Sequence, residues 1–137
     1  MLLTILCASA AVLVVSLPGH LLLDRLWAAA FGPALDAVFR SRRHAAMLRT
    51  MWLDFINMCF TDFLALLAGL SILGPESLPR FGWLMVAVVA LTSLAVIAII
   101  STRTRAEPQS YRERPPATPM MTAGAVVAIL LGLLLMK

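Results

Sequence analysis

Asp62 is the residue whose chemistry most needs an explanation. It lies inside Met51–Gly74, an apolar run whose other strongly polar side chains are Asp54 and Asn57. Counting from either end places it near mid-depth if that run spans a bilayer, where an ionised carboxylate costs several kcal/mol. No Lys or Arg lies inside any of the apolar runs. The carboxyl must therefore be carried as the neutral acid, bind a cation, hydrogen-bond to polar neighbours, or meet a basic group on another chain. Thr92 and Ser93 stand at a matching depth in the next apolar run.

Asp54, about two helical turns away, shares a broad face with Asn57, Thr61 and Asp62, and such a face must point at protein or water. His20 lies near the end of the first apolar run. If neighbouring helices are antiparallel, its depth allows a pairing with Asp54, and an imidazole beside a carboxylate is the material of a proton relay. A lone histidine this close to the interface is more often simply solvated. The five residues Asp62, Asp54, His20, Asn57 and Thr61 thus form a candidate proton or cation site, or else a neutral hydrogen-bonded patch in a helix bundle.

Other chemistries find no support. No nucleotide loop or Ser and His hydrolase pattern occurs, and His20 and His44 stand apart from Cys7 and Cys59. The cysteines have neither metal-ligand nor redox spacing and fall at different depths, so no disulfide is expected. The sequence predicts no metal, no cofactor and no catalytic set. A lipid-modifying enzyme using His20 and Asp54 at headgroup level is a third reading behind an accessory subunit and a transporter.

The elements that carry these residues follow from composition. With 61% hydrophobic and only 13% charged residues in 137, the chain lacks the polar surface a soluble domain of this size presents to water. A span needs about 20 apolar residues. Four runs approach that length, at 1–23, 51–74, 81–100 and 120–136, and the last is at the lower limit. The expected fold is all-α, one polytopic bundle of four transmembrane helices over 1–137. The first run should stay attached, because the residues before Cys7 lack the basic start of a lipoprotein signal.

The segment 24–50 holds Arg25, Arg40, Arg42, Arg43 and Arg49. Its Gly32-Pro33 pair predicts a break, followed by a short helix lying in the interface with Leu35, Val38 and Phe39 on its apolar face. Segment 101–119, with four Arg and four Pro, reads as an exposed loop. Basic residues number nine in these two segments against two elsewhere. The bias makes both segments cytoplasmic and both termini outer, with Trp27 and Trp52 at the inner interface and Trp83 at the outer one. Ten of the eleven basic residues are Arg, which by association points to a GC-rich bacterial genome, so the membrane expected is a bacterial inner membrane.

Small residues recur every fourth position as Thr61, Ala65 and Gly69, and again as Gly124, Ala128 and Gly132. Such stripes let helix backbones approach closely in lipid. They predict helix packing, and the second stripe equally suits a dimer or partner face. Arg40, Arg42, Arg43 and Arg49 are expected to contact lipid headgroups. The expected partners are membrane lipids and either a second copy or a larger membrane complex, with no role for nucleic acid.

Overall fold

The computed structural model describes residues 1–106 and 117–137, and among these the chain is helical without strands. Four helices follow one another: α1 (Leu2–Phe39), α2 (Ala45–Leu73), α3 (Leu78–Ala106) and α4 (Ala117–Leu135). Three are long and apolar enough to cross a membrane, namely Leu2–Phe39, Ala45–Leu73 and the Leu78–Ile100 part of α3. The apolar stretch of α4, Pro119–Leu135, is shorter.

The separate interfacial helix does not form. Helix α1 runs unbroken through Pro18 and Pro33, so the Gly32-Pro33 pair ends nothing. Gly32 serves close approach instead: a Cβ there would lie 2.7 Å from a terminal nitrogen of Arg49 on α2. Arg49 Nε also lies 2.8 Å from Asp36 Oδ1. The N–H is not aligned with that oxygen, so this is a charge contact rather than a hydrogen bond. With packing holding both flanks, the bonds lost at two prolines do not break the helix.

A tight turn at Arg40–His44 reverses the chain, with Arg42 N–H bonding the Phe39 carbonyl at 2.9 Å. His44 adopts a left-handed conformation, φ 63°, which His tolerates better than most side chains. Helix α2 starts at Ala45, six residues before the predicted span, and ends at Gly74, whose φ of 74° suits glycine. The predicted loop 101–119 shrinks from both sides, since α3 reaches Ala106 and α4 begins at Ala117. Residues 107–116 of that loop lie outside the described residues.

Helix α2 is central and packs on the other three, whereas the α1 and α4 backbones do not lie side by side among the described residues. Along α1 and α2, Gly69 approaches Val12, Gly19 approaches Thr61 and Gly32 approaches Arg49, an antiparallel register. Gly124 lies over Phe55 and Met58, and Gly132 over Leu66, so α4 runs parallel to α2. Both stripes are therefore used inside the chain: Thr61, Ala65 and Gly69 are buried in the core, as are Gly124, Ala128 and Gly132. An apolar layer of Ala8, Val12, Ala65, Leu66, Leu70, Met85 and Val89 fills one half of the bundle. A second cluster, of Met58, Val96, Ile97, Met121 and Ala125, lies where α2, α3 and α4 meet.

The α2–α4 contact leaves no room for growth, because a Cβ on Gly124 would stand 2.5 Å from the Phe55 carbonyl oxygen. Gly124→Val should lower stability by roughly 1–3 kcal/mol. The neighbouring exposed Ala123 supplies the control, since Ala123→Val should be nearly neutral in the same detergent unfolding assay.

Candidate functional site

A buried polar cluster joins three helices. Asp62 projects from α2, His20 from α1 and Ser93 from α3, and all three are buried, Asp62 fully. His20 Nε2 and Asp62 Oδ1 share a hydrogen bond of 3.1 Å. Ser93 Oγ donates to Asp62 Oδ2 at 2.6 Å and also lies 2.8 Å from the Val89 carbonyl one turn back on its own helix. Both carboxyl oxygens are thus held by protein groups. Along α2 the carboxyl is eleven residues before Leu73, about 17 Å by helical rise.

A second chain of bonds runs beside the first. Trp27 Nε1 donates to Thr61 Oγ1 at 3.3 Å, Thr61 Oγ1 donates to Asn57 Oδ1 at 3.1 Å, and Asn57 Nδ2 donates to the His20 carbonyl at 3.2 Å. Trp27 also stacks at a tilt on Phe31 and Phe60, with centroids 6.3 and 5.2 Å away. The sequence logic is local. Thr61 follows Asn57 by one turn with Asp62 next to it, and all three bond to α1, Thr61 to Trp27, Asp62 to His20 and Asn57 to the His20 carbonyl.

The electrostatics follow from proton counting. His20 and Asp62 together hold one labile proton if the pair is neutral, and it can sit on either member: acid beside imidazole, or carboxylate beside imidazolium. Net charge is zero in both cases, which is how an acid can stay away from water without burying a net charge. Removing that proton would leave an uncompensated anion among apolar helices. The arrangement can bind, hold or exchange a single proton, and it ties three helices together.

Several expectations change here. His20 is not solvated, nor does it pair with Asp54: its Nε2 meets Asp62, and its Nδ1 has no hydrogen-bond partner among the described residues. The reason is register. Helix α1 continues past the predicted end at residue 23, and its glycines seat it so that His20 is level with Asp62, two turns beyond Asp54. Asp54 is half-buried and lies outside the His20 contacts. Asn57, Thr61 and Asp62 do come together, with Ser93 as the depth match foresaw, whereas Thr92 bonds back to the Val88 and Val89 carbonyls.

The sequence by itself places Trp27 only as an interfacial ring and assigns Ser16 no role. The four-residue repeat of Ala8, Val12, Ser16 and His20, all buried on α1, is the signal that could have found Ser16. Arg40, Arg42 and Arg43 are exposed at the α1–α2 turn, while Arg49 is only half-buried beside Asp36. Cys7 and Cys59 are free. No cluster of three or more His, Cys, Asp or Glu suited to a metal occurs among the described residues. A cleft of about 540 Å³ between α3 and α4 is lined by Leu78, Trp83, Leu130 and Lys137 with other apolar groups. None of the polar cluster opens into it.

Compared with protein families, curated proteins and solved structures, the chain matches none. The site is accordingly read from its own chemistry.

Truncating Asp62 should be costly, because it strands His20 Nε2 and frees Ser93. Asp62→Ala should destabilise the bundle by roughly 1–3 kcal/mol, and Asp62→Asn by less. In a double-mutant cycle, His20→Ala with Asp62→Ala should cost clearly less than the sum of the single changes, measured by reversible unfolding in mixed micelles.

Proposed function

We propose that this chain is a small non-enzymatic membrane subunit, a four-span helix bundle that works by associating with a second copy or with a larger membrane complex. The observation that carries this reading is the sealed contact around Asp62, with both carboxyl oxygens occupied by His20 and Ser93 and no exposed surface. A transport site would need that carboxyl to meet water or a cation. Here it acts as a fastener.

The fourth span is supported by register. Helix α4 is parallel to α2 with Gly124 beside Phe55 and Gly132 beside Leu66, so its apolar stretch Pro119–Leu135 occupies the same depth as the centre of α2. Association is supported by uncovered surface: only 22% of the apolar window of α1 is buried, against 56% for α2. That surface suits lipid tails and a partner helix. The basic bias supports a cytoplasmic Arg40–Arg43 turn against anionic headgroups with both ends outside, and the preference for Arg over Lys supports a bacterial inner membrane by association.

A proton- or cation-coupled transporter centred on Asp62 is the second reading, favoured by the 3.1 Å contact between an imidazole and a carboxyl group in the bundle interior. Proteoliposomes separate the two. For a subunit, proton uptake should equal that of protein-free liposomes for both the native chain and Asp62→Asn, while native mass spectrometry from detergent or nanodiscs shows a defined oligomer or a fixed stoichiometric partner. Proton flux abolished by Asp62→Asn, from a monomer, would reverse the order of the readings. In a variant with Cys7 and Cys59 replaced, Arg42→Cys should be labelled only from the cytoplasmic side and Lys137→Cys only from the outer side.

A further inference from the structure

Two polar atoms on α1 are buried without a protein partner, Ser16 Oγ and His20 Nδ1. Ser16 is 0% exposed and His20 5%. An orphaned polar atom in such surroundings costs free energy comparable to the bond it lacks, and native structures commonly satisfy it with ordered water. The two residues are four apart on one helix, so their side chains stack on one face with Cα atoms about 6 Å apart. No hydrogen bond joins them directly. Two hydrogen bonds of about 2.8 Å reach as far as about 5.6 Å, the span of a single bridging water.

We propose that Ser16 Oγ and His20 Nδ1 together bind one structural water molecule, and that this water fixes the orientation of the His20 ring. Held at Nε2 by Asp62 and at Nδ1 by the water, the imidazole cannot flip without breaking both contacts. The bridge extends the polar cluster by one turn of α1, from Ser93 through Asp62 and His20 to Ser16. In both neutral forms of the pair Nδ1 carries a proton, so it donates to the water, and the water in turn donates to Ser16 Oγ.

A monovalent cation is the competing occupant. It fits less well beside a His20–Asp62 pair that carries its one proton, because that pair then has no net charge to offer and the buried residues on the same stretch of the two helices, Val12 and Ala65, supply no counter-charge. A cation would bring a net charge into the apolar half of the bundle.

The experiment uses the full chain in nanodiscs with ¹⁵N-labelled histidine, in sodium-free and sodium-containing buffer. The native protein should show magnetisation transfer from water to the His20 ring and a hydrogen-bonded Nδ1 shift. Ser16→Thr, which keeps the hydroxyl, should retain both. Ser16→Ala should lose the water signal, and its Tm should fall by several degrees. A Ser16→Ala protein with an equal or higher Tm and an unchanged Nδ1 shift would overturn the proposal, since removing a merely unpaired hydroxyl is neutral or favourable. A sodium-dependent Nδ1 shift would overturn it in favour of a cation. Should Ser16→Ala fail to fold, the native protein still decides, because a His20 ring without water contact sinks the idea.

Discussion

A carboxyl group placed near the middle of an apolar helix must find its hydrogen bonds within the protein. In water such a group loses little by pointing outward, but between lipid-facing helices each unpaired polar atom is expensive. Asp62 therefore constrains everything that touches it. Helix α1 has to present His20 and helix α3 has to present Ser93 at one depth, and the other residues of those helices follow in register.

Small side chains let the helices come close enough for this. Gly19 against Thr61 and Gly69 against Val12 and Met85 bring α1 and α3 onto α2. The same device on the far side of α2, at Gly124 and Gly132, seats α4. Hydrophobic burial does little to choose between registers when lipid is as apolar as the core. Steric fit and the directional bonds of Asp62, His20, Ser93, Asn57 and Thr61 carry the selection. The apolar layer at Leu66, Leu70, Met85 and Val89 then closes one side of the polar cluster, so its bonds face inward and tie helices rather than line an opening.

Composition and patterning made much of the fold legible. Four apolar runs became four helices, and the residues that could trouble a membrane, above all Asp62 with Asn57 and Thr61 on its face, were identifiable because charge in a long apolar run is conspicuous. The depth match with Ser93 was legible for the same reason, as a count of residues along helices of constant rise. Element ends were not. Gly32-Pro33 has the local form of a break, yet α1 runs through it with the Arg49 side chain lying against Gly32, a contact the local sequence does not announce.

The sequence by itself determined that the chain is helical, which runs are apolar enough for lipid, and that one buried acid would need partners, since these depend on residue type and spacing along a single chain. Only the tertiary structure decided who those partners are. Whether His20 meets Asp54 or Asp62 depends on a shift of two turns between helices, set by side-chain shapes on both surfaces at once. The destination of the Gly124 stripe, inside the chain against α2 rather than toward another molecule, was likewise a matter of which surface fits it. Complementarity is a property of pairs of surfaces, and no periodicity within one helix contains it.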